Sequence, residues 1–399
     1  MKENKYFKYF ILLLGLDLLA LFYGISTLSI SADEAKIYFD SKGLLYYISH
    51  FGTFIFGQND FGLRMPFVII HILSCILLYL LAKKYNKTEK DVFFSLFLFI
   101  LLPGSVASAL LVNEASYVIF LSLAILCAYE YEKKIVFFLL LLFAFFVDKS
   151  FIVLFLTFFF FGIYKRDIFL FSFSFFLFLS CVFFYGFDVG GKPKGYFLDT
   201  LGIFSLCFSP LIFVYFFYVI YRLAFKKNKN LLWFLISTTF IFCSLLSLRQ
   251  KLSLEDFLPF CVICTPLLIK ALMQSYRVRL PEFRSKYKIL IRLSVLFLVI
   301  FYLLILGNHI LYFFIKDPKL HFAYNYHIAK ELSIKLKKEG INEVHVTSPA
   351  LQKRLRFYGI KNSSKLYLKD GLKNKNLKII AIKLGKHKIN YQLSYEKSF

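Results

Sequence analysis

Long apolar runs separated by short charged turns limit what this chain can fold into. They fall at about 8–30, 62–82, 91–111, 115–131, 134–147, 150–164, 167–187, 201–224, 231–248, 257–274 and 289–315. Hydrocarbon offers a backbone no partners but its own, so an apolar run of about 20 residues crosses a bilayer as a helix. The pattern predicts an α-helical polytopic membrane protein of about 11 transmembrane helices. The fifth and sixth runs are short. A helix of about 14 residues rises about 21 Å against a hydrocarbon thickness of about 30 Å, so the Asp148-Lys149 turn joining them is expected at or below the membrane surface. Ionisable residues at that depth are costly and mark sites, unless they simply pair with each other.

Charge orients the spans. The chain carries a net +25, with Lys and Arg concentrated in short loops and the C-terminal region. That placement argues against nucleic acid and for the excess of cations in cytoplasmic loops. Residues 1–8, Lys83–Lys90, Lys133-Lys134, Lys165-Arg166, Arg222–Lys229 and Tyr276–Lys288 share one side, the cytoplasm. The other side receives 31–61, Asn113-Glu114, Asp148-Lys149, Phe187–Thr200, Arg249–Asp256 and everything after Lys316. The apolar run after MKENKYFK is too long for a signal-peptide core and is read as an uncleaved first helix. The seven cysteines lie inside apolar runs, so no disulfide framework is implied. Cys261 and Cys264 lack a second pair for zinc and read as packing residues.

Two polar pieces stand apart. Residues 317–399 carry no span. His327–Lys338 and Leu351–Tyr358 read as short helices, and Glu343–Val346, Lys365–Leu368 and Leu377–Ile382 as strands with a turn at Lys369-Asp370-Gly371. This predicts a small C-terminal α/β extracytoplasmic domain at 317–399, after a transmembrane domain at 1–316. The first external loop, 31–61, opens with Asp33-Glu34 and is followed by Arg64. Between them Leu44, Tyr47, Ile48, Phe51 and Ile55 fall on one face of a helix lying flat on the membrane.

Acids and bases converge on the outer side: Asp33-Glu34, Glu114, Asp148-Lys149, and Arg249-Gln250-Lys251 with Glu255-Asp256. An acid there could take a proton from an attacking hydroxyl, and cations could stabilise a departing phosphate. Each group also has a plainer role. Asp33-Glu34 could cap a helix, Glu114 could be a solvated turn residue, Arg64 a membrane-edge anchor, and Arg249 and Lys251 head-group contacts. His50 reads as a surface or substrate-contact residue. The chain has no P-loop, no G-x-G-x-x-G after a strand and no G-x-S-x-G.

Asp33-Glu34-Ala35 with Tyr38 resembles the D-E-A-x-x-Y opening of the first external loop in the glycosyltransferase-C superfamily. Within it, the bacterial aminoarabinose lipid A transferases and the protein O-mannosyltransferase-like group are the nearest in pattern. Leu45-Tyr46-Tyr47, Phe56-Gly57-Gln58-Asn59 and Leu63-Arg64-Met65-Pro66 are similar to that family's continuation, without its Pro-rich segment before L-Y-Y. Asn113-Glu114 falls where the family places a second acidic motif, usually Asp, and Lys149 where many members carry a Lys. Asp256-Phe257-Leu258-Pro259 looks like a degraded R-Y-x-x-P. The resemblance covers about 8–315 and implies a transferase that takes a sugar from a polyprenyl-phosphate-linked donor. The acceptor would be a lipid, glycan or protein at the outer face of the bacterial inner membrane. It implies Asp33 as base. Glu34, Tyr38, Tyr47, Arg64, Glu114, Lys149, Arg249 and Lys251 are candidates for substrate contacts. The acids Asp33, Glu34 and Glu114 would permit, without requiring, a divalent cation such as Mg or Mn. A flippase or transporter for a lipid-linked sugar or another amphiphile is the alternative, and a structural or assembly protein acting through its outer domain is a third reading.

Overall fold

The computed structural model describes residues 5–186, 195–371 and 378–395, without the side chain of Leu254. The first residues of the basic N-terminus, most of the Phe187–Thr200 loop and Leu377 lie outside them. The chain is mostly helical. It begins α1 (Lys5–Thr27), α2 (Ala32–Asp40), α3 (Leu44–Phe56), α4 (Asp60–Tyr85), α5 (Glu89–Leu101), α6 (Pro103–Leu110) and α7 (Ala115–Glu130). It continues α8 (Lys134–Val147), α9 (Ile152–Lys165), α10 (Ile168–Tyr185), α11 (Phe197–Phe208), α12 (Pro210–Ala224), α13 (Leu231–Ser247), α14 (Leu258–Val262), α15 (Thr265–Val278) and α16 (Pro281–Leu306). The end holds α17 (Ala329–Lys338), β1 (His345–Val346), α18 (Pro349–Phe357), β2 (Tyr367–Asp370), β3 (Lys378–Leu384) and β4 (His387–Ser394).

Helix occupies every predicted apolar run. Among the described residues five helices are long and apolar enough to cross a membrane, or seven if α5–α6 and α11–α12 each count as one bent span. Those pairs bend by 61° and 108°. Pro103 and Pro210 open the second helix of each pair, where proline withholds the amide a continuous helix would need. Several remaining apolar helices, α7, α8 and α13 among them, are shorter.

Packing divides the chain into two units that do not follow chain order. One holds 1–17, 69–109 and 114–302; the other holds 18–68, 110–113 and 303–399. Residues 31–61 therefore pack with the C-terminal residues, although in sequence they belong to the stretch 1–316.

In the helical unit, α9 packs on α10 and α13, and α5 on α15. The seven cysteines are buried free thiols. Gly104 opens the bend at α6, where a Cβ would run into the Cys207 sulfur of α11. Only hydrogen fits between those two segments.

In the loop unit, Ser31 caps α2. Its hydroxyl accepts from the Glu34 amide while the Glu34 carboxylate accepts from the Ser31 amide, a reciprocal capping box. Gly52 of α3 faces Gly62 and Pro66 of α4 with no room for a Cβ on either glycine, so α3 folds back tightly on α4. The sheet runs in the order β1-β2-β4-β3, with β1 parallel to β2 and the other pairs antiparallel. β4 is a strand the sequence reading did not include. Its Ile389, Tyr391 and Leu393 alternate into the core, where Leu332 and Leu336 of α17 also lie. The two-residue turn Gly385-Lys386 joins it to β3. Gly385 has φ +57°, and a Cβ there would press on Tyr312. Lys369 and Asp370, expected in a turn, end β2 instead, and Gly371 alone takes the left-handed φ of +100°.

Candidate functional site

Two sets of polar groups stand out, one in each unit. In the loop unit the capping box fixes the neighbouring acids in opposite directions. Glu34 is buried, and its oxygens are fully engaged. Oε1 accepts from the Val112 amide at 3.1 Å, and Oε2 from the Ser31 amide at 2.9 Å and from Arg64 Nη2 at 2.7 Å. Arg64 is fully buried and also donates to the Ser29 carbonyl at 3.0 Å. Neither residue is a free substrate contact, and Arg64 is not a membrane-edge anchor: each neutralises the other inside the unit. Successive helical residues point about 100° apart, so Asp33 turns the other way. It is exposed, with no hydrogen bond or ion pair among the described residues.

Tyr38 is buried too. Its hydroxyl bonds Thr53 Oγ1 at 3.1 Å and its ring stacks on His50 at 4.1 Å, which ties α2 to α3 and gives His50 a packing role. Tyr47 is exposed. Sequence reasoning missed Asp60, on which the network closes. Asp60 is buried and meets Lys330 Nζ at 3.0 Å, the Tyr358 hydroxyl at 2.5 Å and Arg64 Nη1 at 3.7 Å. Two of those partners lie about 300 residues away in the chain, so no local signal announces them.

In the helical unit, Asp148 caps the turn before α9. One of its oxygens accepts from the Ser150 amide at 2.8 Å and the other from the Tyr117 hydroxyl at 2.8 Å. Lys149 is left to face Asp256, Nζ to Oδ2 3.9 Å, across the edge of a cavity of about 450 Å³. The cavity wall mixes Lys149, Gln250, Lys251 and Asp256 with apolar residues such as Phe242 and Phe257. Arg249 is exposed and is not part of that wall. Burial pushes the Asp256 carboxyl up to about 6 against the pull of Lys149, helped by the charges of Asp148, Glu114 and Glu255. The Glu114 carboxyl is raised for the same first reason, burial.

Comparison with protein-family models, curated proteins and solved structures finds no match to this chain.

Among the described residues no three His, Cys, Asp or Glu side chains come together as metal ligands. The expected set Asp33, Glu34 and Glu114 loses Glu34 to Arg64 and the α2 cap.

A second group escaped sequence reasoning. Asp17 of α1 and His71 of α4 are both buried, with Nε2 to Oδ2 3.1 Å. The Tyr302 hydroxyl donates to the other Asp17 oxygen at 3.1 Å, and Cys75 lies 3.6 Å from His71 Nε2. The signal was present: one acid in the first apolar run and one histidine in the second, both expensive inside a bilayer.

Proposed function

We propose that this chain is a membrane glycosyltransferase of the bacterial inner membrane. It moves a sugar from a polyprenyl-phosphate-linked donor to an acceptor at the extracytoplasmic face. In this reading all eleven apolar runs cross, the N-terminus is cytoplasmic and residues 317–399 are outside. The observation that carries it is Asp33: an exposed carboxylate with no hydrogen bond or ion pair among the described residues, on a helix whose first turn is pinned by the buried Glu34–Arg64 pair. Rigid support under a free acid is what a general base requires. The acceptor hydroxyl attacks the anomeric carbon and gives its proton to Asp33. The bond from that carbon to the phosphate oxygen breaks, and the lipid phosphate leaves with the electron pair. The helical unit, taken by itself, offers a candidate site for an anionic lipid head group. Lys149 and Lys251, on a wall that also carries Phe242 and Phe257, suit an anionic head group on an apolar tail. The test is transfer from a polyprenyl-phosphate sugar by the purified protein and by Asp33→Asn. Loss of transfer in a variant that folds normally is expected; transfer at the parent rate would refute the reading. Mass spectrometry of lipids and envelope glycans from a strain lacking the protein would name the acceptor.

A second reading, a flippase for a lipid-linked sugar, draws on Asp17, His71 and the two bent pairs. Buried ionisable groups and broken helices are features of transporters. Movement of labelled lipid in proteoliposomes without acceptor, abolished by Asp17→Asn, would favour it.

A further inference from the structure

The loop unit contains a second cavity, of about 390 Å³, that the donor chemistry does not use. It begins at Ala32, the residue before Asp33, and runs between α18, β1 and β2. Its volume lies in the range of about 300–1,000 Å³ usual for small-molecule pockets. We propose that it binds a saccharide segment of the acceptor. This deepens the glycosyltransferase reading and rests on it for the word acceptor, though not for the binding.

The wall has two kinds of surface. Tyr324, Tyr391, Leu351 and Ile328 give aromatic and aliphatic faces; Thr347, Ser348, Asn325 and Asp370 give hydroxyl, amide and carboxylate groups. A sugar ring has the same two characters, a C–H face that lies on aromatic carbon and a rim of hydroxyls that both donate and accept. Arg354 also lines the cavity. It is buried, donates Nε to the Ile30 carbonyl at 2.9 Å and Nη2 to the Asn325 carbonyl, and has no hydrogen bond at Nη1 among the described residues. A fixed guanidinium with a spare donor suits an oxygen-rich ligand. A peptide is less well served. Peptides that dock on sheets add a strand to an exposed edge, and the edge strand at this cavity, β1, has two residues. The cavity wall is also tied directly to the segment that carries Asp33, since Arg354 holds the backbone at Ile30, three residues earlier.

The test places a photo-crosslinking amino acid at the exposed Thr347 of the full chain in living cells, followed by purification and mass spectrometry of the adduct. A glycan-bearing adduct is expected, reduced at least several-fold by Asp370→Ala, which removes one exposed polar contact from the rim. An adduct with peptide, an adduct with plain phospholipid, or no adduct at all would overturn the proposal. Introducing Asp33→Asn separates the two claims. The glycan adduct should persist in that variant, because binding needs no turnover. Persistence of the adduct alongside no transfer by the parent chain itself would leave the saccharide site standing and remove the enzyme.

Discussion

Arg64 Nη2 lies 2.7 Å from Glu34 Oε2, and both side chains are sealed from solvent. Burying the two charges together is tolerable because each cancels the other and the carboxylate takes two backbone amides besides. Removing one partner leaves an unpaired charge in the interior, a loss of about 3–5 kcal/mol in comparable pairs. Arg64→Met and Glu34→Gln are therefore expected to lower the thermal unfolding temperature of the purified protein sharply. An unchanged transition would mean the pair is not buried in the membrane-embedded protein.

Asp33→Asn is expected to do the opposite. An exposed, unpaired side chain contributes within about 0.5 kcal/mol to stability. In its proposed role as general base, its loss should cost about 10²–10⁴-fold in transfer rate. Thermal unfolding and initial rates on the same preparation check both halves.

The Asp256 carboxyl, raised by burial to about 6, gives a pH dependence with a definite sign. Its folded value lies above that of an exposed Asp, about 3.9. The stability it contributes is thus complete at low pH and is lost as pH rises through about 6. Below about 6 the neutral acid leaves Lys149 free for an anion; above it the carboxylate competes. Binding of a short-chain prenyl-phosphate sugar, whose diester phosphate does not itself titrate here, should weaken as pH climbs from 5 to 7. Asp256→Asn should flatten the curve, and a parent curve already flat would exclude this competition.

His327 works in the reverse direction. Burial first, then the nearby His321 and His309 and last Arg354, push it down to about 4, while a hydrogen bond to the Thr27 backbone pulls the other way. Its folded value lies below the ordinary one of about 6.5. Stability is then full above about 6.5 and is lost as pH falls toward 4, because the unfolded chain takes up the proton first. Hydrogen exchange in 318–395 should rise over that interval and rise less in His327→Gln.

Gly52→Ala tests the fold-back of α3 on α4. The added methyl meets the Gly62 carbonyl and the Pro66 ring. Overpacking of this kind costs about 1–3 kcal/mol, read as a lowered unfolding temperature. Gly15→Ala, with open space around it, serves as the neutral control.

The helices were legible because an apolar run in hydrocarbon has one way to satisfy its backbone, and helix occupies each run the hydropathy picked out. The α2 cap was legible in kind, since Ser31-Ala32-Asp33-Glu34 carries the spacing of a capping box, but its consequence was not. Adjacent Asp33 and Glu34 look equivalent in sequence; the fold buries one against Arg64 and leaves the other bare. Strand β4 could have been read from the alternation of Ile389, Tyr391 and Leu393. Asp60 could not, because its partners Lys330 and Tyr358 reach it only through the packing of distant segments. Sequence alone determined where helix forms and which residues are costly to bury, since both follow from local hydropathy and spacing. Tertiary structure decided which charges are spent on one another and which remain available, because pairing depends on distance in space, and about 300 intervening residues put that beyond any local pattern.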